Sequence, residues 1–216
     1  MRIESVRPLS SSKAAAVVSL VLVLVAPAAG CRRRSPEPLP GIPFPTSTIS
    51  RKLNTFVFEE DSRAYLMTVG VNAARFHDQD PFVPFSVVVA NKMGPAIRLD
   101  RESFTLVDPV TGARYGLAGI NEVRRQGKQL YDRQLLNIDL DGFGTKLSGF
   151  HRLPSNFFPF QGIVIDHLEI HEFQYMADNL YFPRPEGELL GKRFELHLNS
   201  RGLEQDLFVV FTIPEN

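Results

Sequence analysis

From residue 54 onward, apolar and polar side chains alternate in short runs divided by turn-forming residues. Phe56 and Phe58 alternate with Thr55, Val57 and Glu59, and Tyr65, Met67, Val69 and Val71 share one face of the next run. Phe85–Ala90 ends at Asn91-Lys92-Met93-Gly94-Pro95, and Phe104–Val107 at Asp108-Pro109-Val110-Thr111-Gly112. Later, Phe194, Leu196 and Leu198 face one way while Glu195, His197 and Asn199 face the other. A period of two marks strands, and Asn, Gly and Pro mark the turns between them. Leu207 to Ile213 is apolar on both faces, which predicts a central strand. Many short strands at near-regular spacing predict a mainly β fold, a β-sandwich over residues 51–216. One segment breaks the pattern. Asn121 suits the N-cap of an inserted helix over about 120–136, with Val123, Leu130, Tyr131 and Leu135 near helical spacing. Gly127 weakens that helix by ~1 kcal/mol relative to Ala. Its basic side chains Arg124, Arg125, Lys128 and Arg133 read as a solvated face.

The first fifty residues follow other rules. Arg2, Arg7 and Lys13 precede an apolar stretch, Ala14 to Ala26, and Ala28-Ala29-Gly30 stand directly before Cys31. A basic start, a short apolar stretch and small residues describe an exported segment, and the stretch falls short of the ~20 residues that span hydrocarbon. The pattern resembles the bacterial lipoprotein precursor, with a lipobox ending at Cys31; it departs at Ala28, where that family usually has Leu. The resemblance implies removal of residues 1–30 as a signal peptide. It further implies a thioether-linked diacylglycerol on Cys31, usually with an amide-linked acyl chain such as palmitate. Two or more chains give stable anchoring, at ~0.8 kcal/mol per buried methylene. Plain secretion with an incidental Cys, or a retained helix, are the other readings. Arg32, where Asp retains such proteins in the inner membrane, implies the periplasmic face of the outer membrane if two membranes are present. Residues 31–50 read as a linker. Five prolines between Pro36 and Pro45 favour a polyproline spacer of ~3.1 Å per residue, and Arg32-Arg33-Arg34 would sit at anionic headgroups.

Composition narrows the classes. Without residues 1–30 the chain keeps 21 Lys+Arg against 23 Asp+Glu, far from the basic excess of a nucleic-acid binder. Its only Cys is Cys31, so no intrachain disulfide is available and the domain must hold by its core. With 17 Phe and no Trp, that core is filled by Phe, Leu, Val and Ile.

Candidate chemistry is sparse. Asn137-Ile138-Asp139-Leu140-Asp141-Gly142 resembles the start of an EF-hand calcium loop, with Asn137, Asp139 and Asp141 as oxygen ligands. The twelfth position is Ser148 rather than a bidentate Glu. In a strand, His167, Glu169 and His171 share a face and are credible zinc or iron ligands, but the outer two lie ~13 Å apart. The other reading buries Leu168 and Ile170 and leaves the polar face wet. Two aromatic runs beside prolines, around Phe157, Phe158 and Phe160 and around Tyr181 and Phe182, read as strand ends or loops. They either close the end of the core or form a partner-binding patch. No G-x-S-x-G, G-x-G-x-x-G or Walker motif occurs. The runs around Ser86–Tyr115 and Leu207–Pro214 resemble immunoglobulin-like sandwiches of bacterial envelope lipoproteins, which implies a fold without an activity. The resulting expectation is a lipid-anchored, non-enzymatic binding or structural module of the cell envelope. It has no cofactor, meets the membrane through its anchor, and partners an envelope protein or other envelope component rather than nucleic acid. The alternative is a metal-dependent or carboxylate-based envelope hydrolase.

Overall fold

Alternation of large apolar side chains along the strands builds a core between two sheets. The computed structural model describes residues 50–141, 146–159 and 163–215. The chain is mainly β. Four successive strands, β1 (Arg51–Asn54), β2 (Val57–Asp61), β3 (Tyr65–Gly70) and β4 (Phe82–Asn91), form an antiparallel meander. β10 (Gln174–Pro183) continues it beyond β4, and β8 (His151–Arg152) closes it in parallel, in the order β1-β2-β3-β4-β10-β8. The second sheet is β12-β11-β6-β7, from β6 (Phe104–Val107), β7 (Arg114–Tyr115), β11 (Arg193–Leu198) and β12 (Leu207–Thr212). β5 (Ile97–Asp100) and β9 (His167–Ile170) form a separate antiparallel ribbon.

Phe58, Met67, Val69, Phe85, Val87, Leu180 and Phe182 from the first sheet meet Phe104, Leu106, Phe194, Leu196, Val209 and Phe211 from the second in one buried cluster. The Phe211 ring spans the interface, with its centroid 5.1 Å from Phe85, 6.3 Å from Phe58 and 6.2 Å from Phe194. Each fully buried Phe of this kind contributes about 1.5–3 kcal/mol. Pro84 fits inside β4 because the β3 ladder stops at Ser86, so its missing N–H leaves no β3 carbonyl unpaired.

The first sheet is covered on its outer side as well. Val57, Leu66, Val88, Ala90 and Ala177 pack beneath Leu147, and Lys146 clamps the fully buried Glu59 at 2.6 Å to each carboxylate oxygen. Beside them lies α2 (Gln129–Asp141), against β4 and β10.

Several expectations need correcting. The single helix over 120–136 is two, α1 (Ile120–Arg124) and α2, separated where Gly127 takes φ +72°. Gly119, not Asn121, is the N-cap of α1. Leu130 and Tyr131 are exposed; among the described residues the stripe that α2 buries is Gln129, Asp132, Leu135, Leu136 and Asp139. Among the described residues β12, apolar on both faces, pairs with one strand, β11, while Ser50 also donates its N–H to Val210 O. The run around Phe56 is a hairpin, turned where Asn54 Oδ1 accepts the Phe56 N–H at 2.8 Å.

Candidate functional site

The open cleft of about 850 Å³ lies at one end of the domain, between the β2–β3 turn, residues 93–95 and the loop leading into β12. Local hydrogen bonding fixes each wall. Ser62 closes the β2–β3 turn, its Oγ accepting the Tyr65 N–H and donating to Tyr65 O, both at 3.0 Å. Buried Asn91 organises the next wall. Its Nδ2 donates to the carbonyls of Gly94 (3.1 Å), Pro95 (2.9 Å) and Ile170 (3.2 Å), while its Oδ1 accepts the Gly94 N–H at 2.8 Å. Tyr65 then ties the walls together, donating from Oη to Pro95 O at 2.9 Å, with Gly202 O at 3.5 Å. Burial pushes its phenol above the ordinary value, helped by Glu204. Gly94 packs so closely on the Tyr65 ring that a Cβ would collide with it. Gly202, at φ +101°, leaves no space for a Cβ beside Ala96 O. The result is a preformed concavity.

Its lining is mixed in chemistry. Glu60, Glu204 and Asp206 supply negative charge against Arg63, while Met93, Pro95, Leu203 and Phe208 supply apolar surface. Ser50 Oγ reaches Glu60 at 3.4 Å, so the residue that leads into β1 is itself part of the wall. Such a lining complements a ligand that presents a cation beside an apolar body.

A second constellation is internal. His77 Nε2 lies 2.8 Å from Asp132 Oδ1, Tyr181 Oη donates to Asp132 Oδ2 at 2.7 Å, and His77 Nδ1 lies 2.9 Å from Asp80. Burial and the neighbouring Asp132 drive the Tyr181 phenol strongly upward. His77 and Asp132 are almost completely buried. This chain of groups fastens α2 and the 3₁₀ turn Ala73–Phe76 to the sheet. Next to it in sequence, Phe76 and Tyr131 project outward with their rings edge to face at 5.7 Å, both about half exposed. Asp139 lies further along α2. Burial raises its carboxyl to about 6, with the Ser86 hydroxyl pulling the other way. Asp178, buried in β10, is likewise raised to about 6 by burial, against the pull of the Phe157 and Asn179 N–H groups, Arg133 and Arg152.

The residues singled out in the sequence lie elsewhere. Asn137, Asp139 and Asp141 fall on α2 instead of a loop. Asn137 is exposed and Asp139 buried, because a helix turns i and i+2 to different sides. The calcium-loop geometry is therefore absent at these positions. His167, Glu169 and His171 line the exposed face at β9, with His171 3.9 Å from Glu169, and Ile170 is buried beneath. Among the described residues no group of three or more His, Cys, Asp or Glu gathers as metal ligands would.

The aromatic partner-binding patch is also corrected. Phe157, Phe158, Tyr181 and Phe182 are all buried. Phe157 packs edge-on against Phe104 at 6.0 Å, Phe158 against Tyr181 at 5.1 Å and Phe182 against Phe85 at 6.0 Å. Arg101 seals this corner, its guanidinium 4.5 Å from the Phe158 ring and donating to Phe157 O at 3.0 Å. Residues 1–49, on which the expected signal peptide, Cys31 and the expected linker fall, and Phe160 lie outside the described residues. Sequence reasoning missed the cleft altogether. Its one signal was the Asn91–Pro95 turn, which marks a wall without marking what the wall encloses. No protein-family model matches the chain, and neither does any curated protein or solved structure compared with it.

Proposed function

We propose that this chain is a lipid-anchored lipoprotein of the bacterial cell envelope. It is held through Cys31 at the periplasmic face of the outer membrane where two membranes exist, and acts as a non-enzymatic binding module. The observation that carries the binding role is the cleft. It is concave, its walls are locked by Asn91, Tyr65 and Gly202, and its acidic and apolar lining has a defined complement. The partner is an envelope protein or other envelope component offering a basic group beside an apolar one. At the level of fold we read the domain as immunoglobulin-like. Supporting that reading are the two stacked sheets and the first segment, which touches both: Ser50 pairs with β12 while β1 pairs with β2. The four-strand meander β1–β4 is where the chain departs from that plan.

The experiment is site-specific photocrosslinking in the native envelope from Arg63 and Glu204, with exposed Ser148 as the control position. The reading requires one reproducible neighbour captured from the first two positions and not from the third. Glu204→Lys with Asp206→Lys should reduce its capture at least tenfold. Equal capture from all three positions, or undiminished capture by the folded double variant, would reject the cleft as the binding site.

A further inference from the structure

A second, smaller cleft shares the loop after β11 with the first. Its floor is the end of the second sheet, where Thr105 on β6 and His197 on β11 are cross-strand partners on one face. Arg98 and Asp100 of β5 form one wall, the 3₁₀ turn Arg101–Ser103 the next, and the loop 199–206 the third, with Arg114 of β7 at the rim. The space is about 480 Å³, within the range that small ligands fill. Its chemistry differs from that of the larger cleft, because every residue that lines it carries a polar or charged side chain. Asp206 is the one lining residue common to both clefts.

Two of its arginines are held side by side. Arg98 N–H donates to Arg201 O at 3.3 Å in an isolated antiparallel bridge, and Ser200 Oγ, donating to Arg98 O, fixes that register. Partners in such a bridge carry their side chains on one side with Cβ atoms ~5 Å apart, where like charges repel. Both arginines are exposed, and neither guanidinium makes an ion pair or hydrogen bond among the described residues, although Arg98 also stands across from Glu169 on β9. The carboxylates of the lining are placed otherwise. Asp100 is engaged by its own turn, accepting the Glu102 N–H at 2.9 Å and the Ser103 hydroxyl at 3.0 Å. Glu102 and Asp206 are exposed acceptors, and Asn199 adds an exposed amide. Two guanidinium forks set together fit one oxyanion and gain from it the opposite charge they lack. A bare anion would meet Glu102 and Asp206 unfavourably, whereas hydroxyl groups on the same ligand donate to them.

We propose that this smaller cleft binds an acidic saccharide. Its carboxylate or phosphate is held between Arg98 and Arg201, and its ring hydroxyls by Glu102, Asn199 and Asp206. The site stands independently of the anchor and of the reading given to the larger cleft.

The test is calorimetric titration of the full-length chain in detergent, at low salt, with trigalacturonate and with glucose 6-phosphate. Galactose, acetate and inorganic phosphate serve as controls. At least one of the two acidic sugars should bind at least tenfold more tightly than any control, and Arg98→Gln and Arg201→Gln should each weaken it at least tenfold. Binding of neither acidic sugar, a control bound equally well, or undiminished binding by the two variants would overturn the proposal. Because relief of a like-charge pair leaves the fold intact, each variant is also melted at low salt. An unchanged or raised melting temperature is expected; a clear fall would mean that the guanidinium is already satisfied within the chain, and would overturn the proposal too. Arg63, Glu204 and Asp206 stay untouched in these variants, so failure of this site is distinguishable from failure of the larger cleft.

Discussion

Asp139 shows how one side chain carries a cost the fold has to absorb. Its Oδ2 is buried with no hydrogen-bond donor among the described residues, and its carboxyl is raised to about 6. A free aspartate titrates near ~3.9, so between pH ~4 and ~6 the native state holds a proton that the unfolded chain has released. The contribution of this group is therefore favourable while protonated and is lost as pH rises through 6. Asp178 acts in the same direction over the same window. The expected outcome for Asp139→Asn is a gain of ~1–2 kcal/mol at pH 7 that vanishes at pH 4, read by chemical denaturation at both values. A loss at pH 7 would mean the carboxylate is paired in a way this account misses. Phe157 makes the opposite point. Truncating a partner-contact residue would leave stability alone, whereas Phe157→Ala should cost ~3–5 kcal/mol, because its ring fills the core against Phe104.

At the scale of elements, the docking of α2 rests on close approach and on polar groups more than on apolar area. Gly70 at the end of β3 leaves room for Asp139; a Cβ there would collide with its carboxyl and with Ser86. Gly70→Ala should lower stability by ~1–3 kcal/mol, and Asp139→Ala in the same chain should recover most of it. Additive losses in denaturation midpoints would deny that the two positions share one contact. The same arrangement explains what the sequence made legible. β3, β4, β6 and β11 were readable because their buried face is uniformly apolar. β10 was not, since Asp178 and Asn179 sit in its middle and disfavour a strand that tertiary pairing with β4 imposes. The buried stripe of α2 has helical spacing, but three of its five described members, Gln129, Asp132 and Asp139, are polar, so a search for apolar periodicity drifts to Leu130 and Tyr131 on the exposed side. β12 read as central because both its faces are apolar; among the described residues its one strand partner is β11, since apolar faces do not by themselves count hydrogen-bonded neighbours. The cleft joins segments some 140 residues apart, from Ser62 to Phe208, and short-range patterns carry no record of such a meeting.

For the whole molecule, the account joins a preformed cleft to a position in the envelope. No helix among the described residues is long and apolar enough to cross a membrane. The proposed placement rests on the lipoprotein-like pattern that ends at Cys31. Asn91 is the residue on which the cleft and the domain depend together, because its side chain holds the 94–95 turn and reaches the β9 strand. Asn91→Ala should cost ~2–4 kcal/mol through orphaned buried carbonyls, and should lose cleft crosslinking even where the fold survives at low temperature. An unchanged melting temperature would contradict that role. The most direct measurement of the central claim is the mass of the N-terminal peptide from the membrane-extracted protein. The account predicts a mature chain that starts at residue 31, with its thiol carrying diacylglycerol. A chain that starts elsewhere, or a residue 31 with its sulfur unmodified, would contradict it.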